Sequence, residues 1–347
     1  MIMTSESSAQ QPLHCCKLEK LSIGYSSKGS EIVVGCDLSA TLNGGQLTCL
    51  LGANGVGKST LLRTLSGFQP PLGGRMMIDG KDVDRMSNDE RSRTIGVVLT
   101  EKPAGNQLTV RQLVALGRTP YTGFWGRCSE DDWRVVDEAV EQVGLTALSH
   151  RLVGTLSDGE RQKAMIAKAL AQQTPVILLD EPTAYLDYPG KVEMMLLLRQ
   201  ICSQMGRIVF LSTHDVEVAL QLADRVWLMS RQQPMVIGSP EDLALEGHLA
   251  NFFSPKSLVF NPLTGLFSIH LPTTHSVMVS SDETEPLTLL TKALLRHGVK
   301  VVEGCVDEAL LSVRIEKRQF VLKRDKEKAT AKTVAEVCEW VVSRLMG

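Results

Sequence analysis

No stretch of this 347-residue sequence approaches the ~20 consecutive apolar residues that a spanning helix needs; Met194 to Leu198 is typical of its apolar runs. The polar opening, MIMTSESSAQQP, lacks the basic-then-apolar shape of a secretory leader. Eight cysteines, at 15, 16, 36, 49, 128, 202, 305 and 338, form no C-x-x-C pair and no Cys/His group at zinc spacing. That scatter fits free thiols in a reducing, cytosolic setting. Nor is there a surplus of charge: 37 Lys and Arg against 39 Asp and Glu leave −2, which argues against bulk nucleic-acid binding. No internal repeat or low-complexity tract stands out. What remains is an ordinary globular budget, 43% hydrophobic and 22% charged, long enough for about two domains and a large core.

Residues 1–14 read as a flexible lead-in. Leu21 to Tyr25 and Ile32 to Leu42 read as strands, with Asn43-Gly44-Gly45 as a turn before the apolar run Leu47 to Leu51. Lys58 to Ser66 reads as a helix stopped by Gly67 and Pro70-Pro71, and Met76 to Val83 as a short hairpin around Asp79-Gly80. Patterning turns helical from about 105 to 155, as in Val110 to Leu116 and Trp133 to Val143. Val176 to Leu179 and Ile208 to Leu211 are continuous apolar runs of the kind buried parallel strands show. Strands alternating with helices predict an α/β domain over 15–271. Residues 272–347 have another texture: strands near 275–279, 299–302, 310–315 and 319–322, a helix opening at Pro286, and a last helix with Val334, Val337, Val341 and Leu345 on one face. They predict a small, separate α+β unit.

Three segments carry chemistry. Gly52-Ala53-Asn54-Gly55-Val56-Gly57-Lys58-Ser59-Thr60 fits G-x-x-x-x-G-K-[ST], with a strand before it and a helix after. Its glycines let backbone N–H groups curl around phosphates, Lys58 reaches the β- and γ-phosphates, and the Ser59 hydroxyl is offered to Mg²⁺. Val176 to Glu181 is an apolar strand ending in two carboxylates: Asp180 suits an Mg²⁺ shell, and Glu181 suits a general base that polarises water. Leu156-Ser157-Asp158-Gly159-Glu160-Arg161-Gln162 opens an Ala-rich helix, Lys163 to Ala171. Taken alone, Ser157 is a helix N-cap; equally, the start of a helix favours an anion.

Together these segments resemble ABC-type ATPases, whose signature is usually written L-S-G-G-Q, so the fold implied is a P-loop NTPase of that type: a mixed-sheet α/β core with a helical insert. The resemblance implies that Ser157 and Gly159 face the γ-phosphate of ATP held by an opposite subunit. It places the D-loop at Leu186-Asp187, where Tyr185 is bulkier than the usual small residue, and the switch histidine at His214. Tyr25 is similar to the aromatic residue that stacks on adenine. Leu116-Gly117-Arg118-Thr119-Pro120-Tyr121-Thr122-Gly123 and Asn261-Pro262-Leu263-Thr264-Gly265 resemble segments of ATPases serving iron–siderophore, haem and cobalamin importers. Two departures stand out. Asp158 and Glu160 replace the signature Gly and Gln, putting a carboxylate where a phosphate is expected. Thr100-Glu101 follows Ile95 to Leu99 where the family has its Q-loop Gln, so Glu101 becomes an alternative Mg²⁺ ligand, or the loop packs on a partner without metal work.

The expectation is an ATP- and Mg²⁺-dependent ATPase on the cytoplasmic face of the inner membrane. It would act as a homodimer on a membrane permease dimer, engaged through the helical insert, with a solute-binding protein in the full system and no nucleic acid. The rival is a soluble ABC-type ATPase that works as a mechanical switch without a permease. For residues 272–347 a sensor is the further option, since Arg314 to Lys332 holds eight basic and three acidic residues; a merely solvated charged face is the other.

Overall fold

The computed structural model describes residues 14–27, 30–99, 107–123, 125–231, 233–252, 258–261, 264–304, 311–316, 319–325 and 327–346. Chain contacts divide the protein into two compact units, 1–253 with 260–266, and 254–259 with 267–347.

The first unit opens with long antiparallel strands, β1 (Cys15–Ser27) and β2 (Ser30–Asn43), and then β3 (Leu47–Leu51), buried at every position. Helix α1 (Lys58–Leu65), the hairpin β4 (Gly73–Ile78) and β5 (Lys81–Asp82), α2 (Asn88–Thr94) and β6 (Ile95–Val98) follow. An insert carries α3 (Val110–Ala115), α4 (Glu130–Gln142) and α5 (Asp158–Ala171). The chain then returns as β7 (Val176–Asp180), α6 (Tyr188–Met205), β8 (Ile208–Ser212), α7 (Val216–Leu222), β9 (Arg225–Leu228) and β10 (Val236–Gly238). Two short helices close this part, α8 (Pro240–Leu245) and α9 (His248–Phe252).

These strands form two sheets. The larger runs β10-β9-β3-β8-β7-β6 and is parallel except at β10; the smaller, antiparallel one runs β2-β1-β4-β5. The apolar faces of both meet in one core that includes Ile23, Leu61, Leu65, Leu178, Phe210 and Trp227. The Phe210 and Trp227 rings meet edge-on at 4.9 Å, the geometry aromatic quadrupoles favour. The order β3-β8-β7 matters most. It brings the carboxyl ends of three parallel strands side by side, where ligand crevices of such sheets form.

Beyond it, β11 (Leu258–Asn261) and β12 (Leu266–Ile269) pair as a short ladder. The second unit has β13 (His275–Ser281), α10 (Thr284–Arg296), β14 (Val299–Glu303), β15 (Leu311–Glu316), β16 (Gln319–Arg324), β17 (Glu327–Ala331) and α11 (Val334–Met346). Its sheet runs β14-β13-β15-β16-β17. Both helices share a core with Val277, Val279, Val313, Ile315, Phe320 and Leu322. β17 has no apolar alternation to announce it: Glu327-Lys328-Ala329-Thr330-Ala331 is a charged edge strand, as edges commonly are.

The helical insert is tied together by a buried ion pair. Arg118 donates to Asp132 at 2.9 Å, to the Ala171 carbonyl at 2.8 Å and to the Gln173 side chain at 2.8 Å, and its guanidinium lies 4.0 Å from the Tyr121 ring centre. Asp132 also closes the capping box of α4, and the Ser129 hydroxyl, then its backbone N–H and Arg118, hold the Asp132 carboxyl below the usual range. Because the folded pKa is depressed, this stabilisation is complete above about pH 4, the ordinary aspartate pKa, and fades as pH falls through the folded value. Removing one partner strands a buried charge, so Asp132→Ala is expected to cost about 3 kcal/mol or more in urea unfolding at pH 7. The difference from the parent should shrink at pH 3; a variant as stable as the parent at pH 7 refutes the role given to the pair.

Candidate functional site

β3 ends in the loop Gly52–Gly57, and Gly57 caps α1 with φ of 116°. A Cβ there would lie 2.1 Å from Val34 Cγ1, so only glycine permits both the turn and the close approach of β2. The first intrahelical bond is Leu61 N–H to the Gly57 carbonyl at 2.9 Å. The amides of Lys58, Ser59 and Thr60 therefore precede the helical ladder, as at any helix start, and stand where an anion is favoured.

Lys58 is only 5% exposed, yet it is an ammonium. Its Nζ donates to the carbonyls of Gly52 at 2.8 Å and Ala53 at 3.3 Å, and lies 3.5 Å from His214 Nδ1. Burial lowers its pKa, opposed by the carboxylates of Glu181 and then Asp180. The loop's own carbonyls thus hold this cation at the mouth of the anion site. Arg231 donates to the Gly55 carbonyl, and Asn54 lines a cavity of about 510 Å³ with Gly52, His214 and Arg231. The Tyr25 hydroxyl bonds the Thr60 hydroxyl of α1 at 2.7 Å, and Tyr25 as a whole is 45% exposed. Tyr25 is thus anchored by its hydroxyl, with its ring open to a ligand.

At the ends of β7 and β8, Ser212 organises both acids. Its hydroxyl donates to Asp180 Oδ1 at 2.6 Å and accepts from the Glu181 N–H at 3.0 Å. Glu181 has φ of 49°, a strained value for a non-glycine residue and one that clusters at functional sites. Its carboxylate contacts His214 Nε2, so Lys58, His214 and Glu181 form one continuous row. Behind it, Asp215 accepts from Thr183 and Lys191, each at 2.6 Å. Ser59 and Asp180 line one small cavity of about 80 Å³ with Leu99. A hydroxyl and a carboxylate are the hard oxygen donors Mg²⁺ takes from a protein when phosphates and waters complete its shell, so this donor set fits that ion. Thr100 and Glu101 lie outside the described residues.

The signature segment stands apart from this row. Ser157 caps α5, a helix that begins at Asp158, a turn and a half before the apolar run at Lys163 suggested. Its hydroxyl donates to the Glu160 carboxylate at 2.9 Å, and that carboxylate also accepts the Ser157 N–H at 2.8 Å. Those two Ser157 groups hold the Glu160 carboxyl below its usual range. Asp158, the acid expected beside a phosphate, is turned onto Arg161 of its own helix at 2.8 Å. The helix start is open at Gly159, where the nearest atom to an added Cβ is in Leu186, at 3.7 Å. Asp187 caps α6, accepting from the Gly190 N–H at 3.0 Å.

The fold therefore gathers Lys58, Ser59, Asp180, Glu181, His214 and the Tyr25–Thr60 pair, while the Ser157 side chain bonds only Glu160 among the described residues. Ser212, Asp215 and Arg231 escape a linear reading. Each acts through a partner distant in sequence, and a serine closing an apolar strand has no local signature.

The family model described as ABC transporter matches residues 36–184. An iron(3+)-hydroxamate import ATP-binding protein of Bacillus subtilis is 36% identical over 205 residues, covering 59% of this chain and 75% of its own. A cobalamin import ATP-binding protein of Halobacterium salinarum is 34% identical over 280 residues, covering 78% and 70%. Among solved structures, an inward-facing metal-chelate type ABC transporter superposes with a TM-score of 0.60 at 25% identity, covering 74% of this chain and 96% of that one.

Loss of the Ser212 hydroxyl removes the donor that aims Asp180 at the cavity it shares with Ser59. Outer-shell partners of metal ligands are typically worth about 10- to 100-fold in metal affinity. Ser212→Ala is expected to raise the Mg²⁺ concentration for half-maximal ATPase activity by about 10-fold. An unchanged Mg²⁺ titration would remove Ser212 from the metal's support.

Proposed function

The chain belongs to the ABC transporter ATP-binding family, and on that footing we propose that it is the ATP-hydrolysing subunit of an importer for an iron complex, haem or cobalamin. The row Lys58–His214–Glu181 at the ends of β3, β7 and β8 is the observation that carries the catalytic part. The two import relatives support the cargo class.

Lys58 and the amides of residues 58–60 bind the β- and γ-phosphates, with the loop glycines Gly52, Gly55 and Gly57 allowing the backbone to wrap them and Asn54 at their edge. When bound between Ser59 and Asp180, Mg²⁺ supplies positive charge to the phosphate oxygens. As phosphates arrive, Lys58 exchanges its carbonyl partners for phosphate oxygens. Glu181 orients and deprotonates the attacking water, and His214, held between Glu181 and Lys58, presents its ring toward the γ-phosphate. The Tyr25 ring stacks on the base.

Ser157 and Gly159 are left without a nucleotide in their own subunit. Two copies arranged head to tail place each signature helix start, and Asp187 beside it, against the ATP of the other. The permease dimer engages the insert, where Trp125 is 82% and Leu116 48% exposed, large apolar side chains suited to a buried contact. Among the described residues no helix is long and apolar enough to cross a membrane, so attachment at the cytoplasmic face runs through that partner. A solute-binding protein completes the reading.

Glu181→Gln keeps the shape of the site and removes the base. ATP binding should persist and hydrolysis should fall by about 10²-fold or more, the scale of lost general-base help. Size exclusion with ATP should then show a stable dimer; normal turnover by the variant ends the assignment. Ser157→Arg should leave ATP binding by the monomer intact yet abolish that dimer. A Ser157→Arg chain that still dimerises and hydrolyses normally refutes the shared site.

A further inference from the structure

His214 meets its partners from an open position: its side chain is 41% exposed, so packing alone does not fix the ring. The backbone on either side does. Asp215, at φ −84° and ψ 76°, lies close to the inverse γ-turn values of about −75° and +65°. The Val216 N–H accordingly donates back to the His214 carbonyl at 3.0 Å. His214 thus enters a tight turn between β8 and α7, and the conformation of that turn sets where its ring points.

Three hydrogen bonds close a ring around this turn. The Asp215 N–H donates to the Thr213 hydroxyl at 3.0 Å, and the Thr183 hydroxyl donates to the Asp215 carboxylate at 2.6 Å. The two threonine oxygens lie 3.3 Å apart; because the Thr183 hydrogen is already given to Asp215, the Thr213 hydroxyl is the donor between them. Both threonines are buried, so neither hydroxyl has water to fall back on. From outside the ring, Lys191 of α6 holds the other Asp215 oxygen at 2.6 Å. Asp215 forgoes a local role to do this. Ser87, Ser129, Asp187 and Ser239 each cap the first turn of the helix they precede, whereas Asp215 stands before α7 and makes no such bond. Its carboxylate is turned instead toward α6 and the loop after β7.

We infer that Thr183, Asp215 and Lys191 are positioning residues for His214: a hydrogen-bond ring, fastened to α6 by an ion pair, holds the turn that keeps the His214 ring between Lys58 and Glu181. They act through the turn and not on the nucleotide. The inference rests on the ATPase reading, since its catalytic consequence is felt only where His214 serves hydrolysis. Removing the Thr183 hydroxyl deprives the Thr213 hydrogen and one Asp215 oxygen of their partner. Removing the Lys191 charge frees the carboxylate to swing onto the first-turn amides of α7, the place an aspartate before a helix ordinarily takes. Either change opens the turn and displaces the ring. Misplacement of a catalytic group by about 1 Å can cost about 10²-fold in rate.

Thr183→Val and Lys191→Gln test the inference from two separate elements, with Thr183→Ser and Lys191→Arg as their conservative counterparts. In the first pair kcat for ATP hydrolysis should fall by about 10-fold or more, with KM for ATP unchanged. The second pair should keep most of the parent's kcat. Imidazole resonances of the seven histidines in the full chain supply a readout that a general loss of stability would not. The His214 signals, assigned by their absence from His214→Ala, should shift in Thr183→Val and in Lys191→Gln. The other six should stay in place, which certifies the fold. His214 signals at their parental positions in both variants overturn the inference. So does a parental kcat, a KM that rises in step with the loss of turnover, or a conservative pair as impaired as the first. A parent chain without ATPase activity refutes the ATPase reading instead, and the His214 signals still report whether the ring holds the turn.

Discussion

An ammonium buried at the edge of the parallel sheet is the constraint around which the first unit is arranged. Lys58 is taken out of water before any phosphate arrives, and a buried charge is costly unless it is paired and hydrogen-bonded. The carbonyls of Gly52 and Ala53 meet that demand from one side, and the field of Glu181 and Asp180 from the other. Each requirement propagates outward. The carbonyls point inward only because the loop is glycine-rich, and the acids stand close only because β8 lies between β3 and β7. Positive φ at Glu181 is part of the same arrangement, a local cost of order 1–3 kcal/mol borne by the rigid sheet around it.

The altered signature follows similar logic. A helix start already stabilises negative charge, so Asp158 and Glu160 are favoured in the first turn of α5. They do not make it uniformly negative, because Asp158 is matched by Arg161 and Glu160 is spent on the Ser157 hydroxyl and amide. The consequence is competition. The hydroxyl that the family resemblance assigns to a phosphate in the opposite subunit already has a partner, and closure exchanges one charged acceptor for another. An exchange of that kind costs less than creating or stranding a bond, since the donor is never left bare.

How much of this was legible beforehand depends on whether the constraint was local. The phosphate loop was readable because a φ of 116° beside a neighbouring strand admits glycine alone, and the Asp180–Glu181 pair because it ends an unbroken apolar strand. The parallel strands β7 and β8 appear within a residue of where their apolar runs predict them. β1 is longer than expected, since Cys16 to Leu18 pairs with both β2 and β4 and draws its order from neighbours rather than from a strong pattern of its own. Ser212 illustrates what linear reading misses: a serine at a strand end acquires meaning only when β7 lies beside it.

The same distinction separates the two units. In the first, residue type and backbone geometry dictate each other within a few positions, which is why motifs can be recognised there at all. In the second, no short motif exists; eight basic residues between Arg314 and Lys332 read more readily as a solvated face than as a site. Register decides what composition leaves open. A two-residue alternation sends Arg314, Lys323 and Lys328 to one face and Ile315, Leu322 and Ala329 to the other. A one-residue slip of β17 would move Lys328 away from Lys323 and bring Glu327 in its place, converting a repelling pair into an attractive one. The observed register instead matches Ala329 and Ala331 to the core and sets Lys328 opposite Lys323, so burial of apolar groups decides how this edge strand pairs.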